Sequence, residues 1–175
     1  MRVIAGTLRG RRLRPPPGTT TRPTADRVRE AIFDVLGSML DLDGLAVLDL
    51  FAGSGAMGIE ALSRGAASAV FVERDPAAVA VIRANLDSLG VADRATVVRG
   101  DAVSWLAGGL HRADLALCDP PYRFEEWAAV LTHLSTPIAV LESSRPVEVE
   151  PPWEVVKDKR YGGTLVTVVR WPDRP

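Results

Sequence analysis

Cysteine is nearly absent from this chain of 175 residues, which contains Cys118 alone. A single cysteine excludes an intramolecular disulfide and is typical of proteins from a reducing cytosol, so we expect a cytoplasmic protein. Histidine is also scarce, and His111 and His133 stand far apart with no metal-ligand spacing around them. We therefore expect no bound metal.

Long hydrophobic runs are missing too. The first residues lack the sustained apolar stretch of a signal peptide, and arginines return within a few positions. Every apolar run falls well short of the roughly 20 residues that a membrane-spanning helix requires. The expectation is a protein with no leader and no membrane contact. The sequence gives no indication of an oligomer, so a monomer is expected.

Charged residues are plentiful but unevenly distributed. Hydrophobic residues make up 47% of the chain and charged residues 25%, which is the composition of an ordinary globular domain. The net charge of −1 conceals an asymmetry, because residues 1–29 carry eight arginines and one acid, a net charge of +7, and the remainder carries −8. A basic segment on an acidic body indicates contact with a polyanion such as nucleic acid, although a solvated basic tail would look the same.

The N-terminal part of the chain has little regular periodicity. Residues 3–13 predict a short β-hairpin or an extended arm with turns at Gly6 and Gly10, and a proline-rich linker follows. Apolar residues at helical spacing after Thr24, a plausible N-cap, predict an amphipathic helix over residues 25–40. We expect a basic arm over residues 1–21 and a main domain over residues 22–175 that includes this bridging helix.

From residue 45 onward, strand and helix patterns alternate. The predicted strands cover residues 45–51, 68–72, 95–99, 113–118, 137–141, 153–160 and 164–171. The predicted helices cover residues 57–64, 76–89, 101–106 and 124–134. This alternation predicts an α/β fold with a mostly parallel seven-stranded sheet covered on both faces. The last two strands flank Tyr161-Gly162-Gly163, which predicts a C-terminal antiparallel hairpin.

A glycine-rich turn follows the first of these strands. Residues 49–58 contain Gly53, Gly55 and Gly58 in the spacing G-x-G-x-x-G, between a strand and the start of a helix. Such a turn lets a nucleotide lie against the backbone, where a side chain would block it, and the helix start offers free N–H groups. Glycines are common in strand-to-helix turns, so this signal needs support from other residues.

Acidic residues at three successive strand ends supply that support. Glu73 lies 20 residues after Gly53, where an acid can accept hydrogen bonds from ribose hydroxyls, and Asp101 follows the next strand. Asp49 precedes the loop and suits a ligand with an ammonium and a sulfonium better than a pyrophosphate, which favours S-adenosylmethionine; a loop-bracing role is the alternative. The predicted cofactor-binding residues are Asp49, Phe51, Ala52, Gly53, Ser54, Gly55, Glu73, Arg74, Asp101 and Ala102.

A second motif, Asp119-Pro120-Pro121-Tyr122, follows the predicted strand over residues 113–118. The lone pair of a base's exocyclic amine is delocalised into the ring, so the amine is a poor nucleophile. The Asp119 carboxylate and the Pro120 carbonyl, held outward by the rigid prolines, can accept the amine hydrogens, and Tyr122 offers a ring for stacking. We predict Asp119, Pro120, Pro121 and Tyr122 as the catalytic residues of an amino-methyltransferase that acts mainly through positioning and electrostatics.

With both motifs in place, the chain resembles the bacterial RsmD family of 16S ribosomal RNA guanine-N2 methyltransferases. The resemblance lies in the stretches 2–11, 22–33, 49–65 and 119–122, of which residues 22–30 (Arg-Pro-Thr-Ala-Asp-Arg-Val-Arg-Glu) are the most distinctive. Residues 145–152 depart from the family pattern, because a proline- and acid-rich loop stands where a helix is expected.

This resemblance implies a Rossmann-like class I methyltransferase fold with S-adenosylmethionine as the methyl donor. It implies a guanine of 16S rRNA as the target, in the small ribosomal subunit or its assembly intermediate. It also implies that N-terminal basic residues contact RNA phosphates, and the residues expected to do so are Arg2, Arg9, Arg11, Arg12, Arg22 and Arg27.

Three alternatives remain open at this point. An adenine-N6 or cytosine-N4 methyltransferase of DNA or RNA would use the same tetrapeptide, although the chain has no separate target-recognition domain. A nicotinamide-dependent oxidoreductase would use Gly53, Gly55, Gly58 and Glu73, but it leaves residues 119–122 unexplained. A non-catalytic assembly factor with a vestigial pocket has no need of an intact Asp119.

Overall fold

The computed structural model of the chain describes residues 1–17 and 23–172. Its strands are β1 (Ala46–Leu50), β2 (Ser68–Glu73), β3 (Ala95–Arg99), β4 (Leu115–Cys118), β5 (Ile138–Ser143), β6 (Glu154–Tyr161) and β7 (Thr164–Arg170). Its α-helices are α1 (Pro23–Met39), α2 (Ala56–Ser63), α3 (Pro76–Leu89), α4 (Ala102–Ala107) and α5 (Trp127–His133). Among the described residues, no helix is long and apolar enough to cross a membrane.

The strands form a single mixed sheet with the order β3-β2-β1-β4-β5-β7-β6. Strands β1 to β5 are parallel to one another, whereas β7 runs antiparallel to both β5 and β6. The predicted fold, a mostly parallel seven-stranded sheet with a C-terminal antiparallel hairpin, is therefore confirmed. The chain moves outward from β1 to β3 and then returns to β4 on the other side of β1. This reversal places the expected ligand crevice at the carboxyl ends of β1 and β4.

Alternate residues of the central strands build two separate cores, one on each face of the sheet. Val47, Leu115 and Val140 face one core with α1, α2 and α3, whereas the next residue of each strand faces the other core, which contains α4 and α5. Central parallel strands are buried on both faces, which explains their nearly continuous apolar sequences. Because side chains alternate between the two faces, the position of a polar residue at the end of a strand decides on which face of the sheet it lies.

Some element boundaries differ from those predicted. Helix α1 begins at Pro23, before the predicted start at residue 25. Helix α5 begins only at Trp127, because the chain after the tetrapeptide first makes a turn in which the Phe124 N–H donates to the Pro121 carbonyl at 2.9 Å. Helix α3 keeps its predicted bounds, since the Asp75 carboxylate caps the Ala77 N–H at its start.

Residues 1–17 pack directly against the main body. An antiparallel bridge joins Arg2 to Arg12, and the side chains of Val3 and Leu13 lie in the core beside α1 and α2. Gly6 adopts a φ of +79°, and a β-carbon at this position would collide with the carbonyl of Ser63 at the end of α2. The arm can therefore approach α2 this closely only with glycine at position 6.

Candidate active site

A large cleft opens at the carboxyl edge of the sheet, where the reversal of strand order predicts a ligand site. Its volume is about 1680 Å³, whereas ordinary small-molecule sites occupy roughly 300–1,000 Å³. The cleft therefore has room for a nucleotide-sized cofactor together with a second ligand. It is lined by every predicted catalytic residue and by every predicted cofactor residue except Gly55.

The three glycines of the loop have different roles. Gly53 has a φ of +55°, and a β-carbon there would meet no atom closer than the Phe51 carbonyl oxygen at 3.9 Å, so the backbone at Gly53 is accessible from the cleft. A β-carbon on Gly55 would instead press on Ile82 of α3, and one on Gly58 would overlap the ring of Phe71. The role of making room for a ligand stays a prediction for Gly53, whereas Gly55 and Gly58 permit helix and sheet packing.

Glu73, at the end of β2, holds the glycine loop in place. Its Oε2 accepts a hydrogen bond from the Gly53 N–H at 2.8 Å, and its Oε1 accepts one from the Asp75 N–H at 2.8 Å. An ionised carboxylate has about four lone-pair sites, so both oxygens retain acceptor capacity toward the cleft. The same side chain can thus brace the loop and accept ribose hydroxyls.

Asp49 lies deeper in the cleft, with 2% of its surface exposed. Its Oδ2 accepts a hydrogen bond from the Gly58 N–H at 2.8 Å, so Asp49 braces the glycine loop. Burial raises the pKa of Asp49 well above its usual range, and the nearby Asp119 and Glu73 raise it further. A positively charged ligand in the cleft would relieve this penalty, so the structure supports bracing and leaves the cation-binding role as a proposal.

Asp101 forms the outer wall of the cofactor side. Its carboxylate accepts a hydrogen bond from the Ser104 N–H at 3.0 Å and so caps α4. This backbone hydrogen bond, with smaller contributions from the Ser104 side chain and Arg74, lowers the pKa of Asp101 below its usual value. The side chain is exposed at the rim and is ionised at neutral pH.

The tetrapeptide begins directly after β4, beside the loop. The side chain of Asp119 is open to the cleft on one side, yet the surrounding protein desolvates it and raises its pKa to about 6. The Ser144 hydroxyl donates to the Tyr122 carbonyl at 3.2 Å, which fixes the far end of the turn. The Tyr122 side chain is 68% exposed, so its ring is free to stack on an incoming base.

Phe51 has a strained backbone conformation that the sequence does not reveal. Its φ of +62° lies in the left-handed region, which costs free energy for a residue with a side chain. Its ring packs edge-on against Phe124, with a centroid distance of 5.0 Å. The strained residue therefore joins the start of the cofactor loop to the segment after the tetrapeptide.

Glu142 is a cleft residue that our sequence analysis missed. It follows Leu141, which pairs with Cys118 in the β4–β5 ladder, so Glu142 and Asp119 lie side by side where these strands end. Burial raises the pKa of Glu142 well above its usual range, as do Asp119 and Asp49, whereas Arg29 lowers it. The rule that selected Asp49 and Glu73, an acid at the end of a predicted strand, would have found it.

Four carboxylates thus lie on the same face of the sheet, at or near the carboxyl ends of four neighbouring strands. In the order β2-β1-β4-β5 they are Glu73, Asp49, Asp119 and Glu142. Their residue positions continue the face that carries Phe71, Leu117 and Val140. We call these four residues the carboxylate row.

Arg29 is one of the eight arginines that give residues 1–29 their positive charge, and the sequence does not reveal its burial. It is only 4% exposed and lines the cleft. Its Nη2 donates to the Arg2 carbonyl at 2.6 Å and to Asp26 at 3.1 Å, and its Nε lies 3.7 Å from Glu60. A buried arginine with these contacts joins the arm to α1 and α2 and is not available to contact RNA.

Those arginines predicted to contact RNA that the structure describes lie outside the cleft. Arg2, Arg9, Arg11, Arg12 and Arg27 are exposed, whereas Arg22 lies outside the described residues. Arg2 donates to the Gly10 carbonyl at 3.0 Å, and Arg11 donates to the Ser88 carbonyl at 2.7 Å. The structure thus presents five of the six predicted side chains to solvent, and their RNA contacts remain a proposal.

The buried Asn85 connects the arm to the cofactor loop. It accepts a hydrogen bond from the Arg14 N–H at 2.9 Å and donates to the carbonyls of Arg14 and Ser54, each at 3.0 Å. The Ser54 hydroxyl also lies 3.7 Å from the Met1 sulfur, which brings residue 1 to the cleft. The basic surface and the glycine loop are therefore parts of one packed unit.

Comparison with known proteins places this arrangement among methyltransferases. Residues 1–170 match the family model described as "Conserved hypothetical protein 95". The Bacillus subtilis (strain 168) protein YlbH is 40% identical over 170 residues, which cover 95% of this chain and 91% of YlbH. "Ribosomal RNA small subunit methyltransferase D" of Escherichia coli (strain K12) is 44% identical over 123 residues, which cover 70% of this chain and 61% of that relative.

A solved structure shows the same architecture over almost the full length. The Escherichia coli protein yhhF, described as a methyltransferase, superposes with a TM-score of 0.86 at 35% identity. The alignment covers 98% of this chain and 97% of that one. The match therefore includes both the arm and the sheet.

Proposed function

The chain belongs to the family described as conserved hypothetical protein 95, the RsmD family of methyltransferases, and from this premise we propose that it methylates 16S rRNA. The proposed reaction moves a methyl group from S-adenosylmethionine to the exocyclic N2 amine of a guanine in the small ribosomal subunit or its assembly intermediate. The observation that carries the proposal is a single cleft lined by both Gly53 and Asp119. We propose that the protein acts as a monomer in the cytoplasm.

The cofactor side of the cleft fits S-adenosylmethionine. Gly53 presents its backbone to the cleft, where the ligand would lie, and Glu73 keeps free lone pairs for the ribose hydroxyls. Asp49 is a buried acid whose charge a cationic ligand would stabilise. When bound, S-adenosylmethionine supplies an electrophilic methyl group and departs as S-adenosylhomocysteine, because the electron pair of the broken C–S bond returns to sulfur.

The catalytic side prepares the amine as a nucleophile. The Asp119 carboxylate and the Pro120 carbonyl accept the two amine hydrogens, which draws the nitrogen lone pair out of conjugation with the ring. That lone pair forms the new N–C bond, and the positively charged nitrogen then loses one proton to Asp119 or to solvent. The ionised form of Asp119 is required, so its pKa of about 6 leaves it active at neutral pH.

RNA recognition is assigned to the exposed arginines of the arm. Arg9 and Arg12 lie on a segment that packs against the cofactor loop through Asn85, so RNA phosphates held there would lie near the cleft. The exposed Tyr122 ring would stack on the extruded guanine.

The decisive experiment identifies the modified nucleoside. The purified protein is incubated with methyl-labelled S-adenosylmethionine and unmethylated small subunits, free 16S rRNA or duplex DNA, and the products are digested to nucleosides. We expect labelled N2-methylguanosine from the ribosomal substrates and no label with Asp119→Asn. Labelled N6-methyladenosine or N4-methylcytidine, or labelling of DNA alone, would overturn the guanine assignment in favour of the alternative amine targets.

A further inference from the structure

Glu142 has a position in the cleft that the proposed methyl transfer does not use. The sheet order is β2-β1-β4-β5, so the cofactor loop after β1 lies on one side of Asp119 and Glu142 lies on the other. A base whose amine meets the methyl group at Asp119 must extend away from the cofactor. The residue beside Asp119 in that direction is Glu142.

The Glu142 carboxylate is also an acceptor without a protein donor. It is half-buried and lines the cleft, and within residues 1–17 and 23–172 no hydrogen bond to it is present. A ligand that displaces water from this partly exposed carboxylate must supply a donor in its place, because an acceptor left unpaired is costly. Burial raises the pKa of Glu142 most, Asp119 and Asp49 raise it further, and Arg29 lowers it. A hydrogen-bond donor from a ligand would favour the ionised form of Glu142. A neutral N–H donor from a ligand would fit this position.

The bases that carry an exocyclic amine differ in the atom beside that amine. In guanine the amine at C2 has a neighbouring N1–H, which is a hydrogen-bond donor. In adenine the amine at C6 neighbours N1, and in cytosine the amine at C4 neighbours N3, and both ring nitrogens are acceptors. An ionised carboxylate beside the reacting amine therefore pairs with guanine and faces a lone pair in adenine and cytosine. A site that accepts a hydrogen bond from the correct substrate discriminates strongly against an analogue that lacks the donor.

We propose that Glu142 is a specificity-determining residue that selects guanine by accepting its N1–H while Asp119 and Pro120 accept the hydrogens of the reacting amine. The inference rests on the proposed function, because it names the residue that chooses among amine-bearing bases in the same cleft. It also supplies a physical basis for the choice of guanine, which the tetrapeptide alone leaves open.

The test uses a base that keeps the reacting amine but lacks the N1 proton. The methylated position is first mapped on the labelled wild-type product, and small subunits are then reconstituted with 16S rRNA that carries either guanine or 2-aminopurine at that position. For the wild-type protein we expect kcat/KM to be at least about 100-fold higher on guanine. For Glu142→Gln we expect this ratio to fall below about tenfold, because an amide can donate to the unprotonated N1 of 2-aminopurine.

Two further variants separate recognition from folding. Glu142→Asp keeps the negative charge and should keep the preference for guanine, with a higher KM. Glu154→Gln removes an exposed carboxylate of β6 that pairs with Arg170 away from the cleft, and it should leave the ratio unchanged. S-adenosylmethionine binding, measured by calorimetry, should stay within about twofold of wild type for Glu142→Gln, since the residue lies away from the cofactor loop.

Two results would overturn the inference while leaving the proposed function intact. One is a wild-type protein that methylates guanine and 2-aminopurine equally well. The other is a Glu142→Gln protein that binds the cofactor normally and retains the wild-type ratio. If Glu142→Gln does not fold, the wild-type and Glu142→Asp ratios decide the question. If the wild-type protein forms no N2-methylguanosine at all, the proposed function fails, and the inference fails with it.

Discussion

Two sets of carboxylates in this protein, one beneath the arm and one at the cleft, have opposite surroundings. Glu60, beneath the arm, is fully buried and accepts hydrogen bonds from the Ile4 N–H at 2.8 Å, the Ala5 N–H at 2.9 Å and the Arg64 Nε at 2.8 Å. The carboxylate row faces the cleft, and within residues 1–17 and 23–172 no hydrogen bond to Asp119 or Glu142 is present; burial raises the pKa of both groups.

The comparison shows how the surroundings of a buried acid indicate its role. An acid whose acceptor sites are filled by protein donors holds two parts of the chain together, as Glu60 joins the arm to α2. Acids that remain short of donors destabilise the folded protein, and such groups are found where a ligand or substrate supplies the missing partner. The predictions that follow change one group or the other and separate loss of activity from loss of stability.

The largest effect is expected from Asp119→Ala. Removal of the carboxylate takes away the acceptor that activates the amine, and we expect kcat to fall by at least about 10³-fold. S-adenosylmethionine affinity should change little, because the cofactor loop is braced by Glu73 and Asp49. Single-turnover methylation and calorimetric titration measure the two quantities. Substantial turnover by this variant would rule out the proposed mechanism.

The opposite pattern is expected from Glu60→Ala. This change leaves two backbone N–H groups and the Arg64 Nε without their acceptor and removes the negative charge 3.7 Å from the buried Arg29 Nε. We expect the free energy of unfolding to fall by about 3 kcal/mol. Chemical denaturation measures the loss, and Asp34→Ala, an exposed acid of α1, is the matched control. A Glu60→Ala protein as stable as wild type would show that this carboxylate does not hold the arm.

The rate of methylation should depend on pH through the ionisation of Asp119. Because burial raises the pKa of Asp119 from 3.8 to about 6, its protonated form persists up to that pH. Activity should therefore fall about tenfold per pH unit below about pH 6 and stay flat above it. A methylation rate that stays constant down to about pH 5 would contradict the requirement for ionised Asp119.

The same pKa shift predicts a gain in stability for Asp119→Asn. The folded pKa exceeds the unfolded value, so ionisation of Asp119 disfavours the folded state once the pH rises above about 4. The inactive Asn variant should thus melt at a higher temperature than wild type at about pH 8, and the difference should vanish at about pH 4. Calorimetric scans at both pH values test this; equal melting temperatures at the higher pH would contradict it.

The smallest effect is expected on the arm surface. The double change Arg9→Glu and Arg12→Glu should weaken RNA binding by about tenfold and make its salt dependence shallower, because each lost phosphate contact lowers the slope by about 1. Arg170→Glu, an exposed arginine at the other end of the sheet, is the control. Unchanged affinity of the double variant would show that RNA binds elsewhere.

The sequence determined the fold and the two motifs because both depend on local patterns. Two-residue and 3.6-residue periodicities specify strands and helices, and their alternation specifies a parallel sheet. Acids and glycines at strand ends then lie at one edge, since parallel strands end there together. The local patterns therefore place Asp49, Glu73 and Asp101 at one edge of the sheet.

Only the tertiary structure decided which polar residues are buried and which partners they meet. Arg29 and Arg9 belong to the same arginine-rich stretch of sequence. Arg29 lies on helix α1 and is buried near Glu60, whereas Arg9 lies on the arm and is exposed. Glu142 becomes part of the site because β5 lies beside β4, although 22 residues separate Asp119 from Leu141 along the chain. Burial and cross-strand pairing are long-range properties, and a local pattern contains no information on the distance between residues from separate strands.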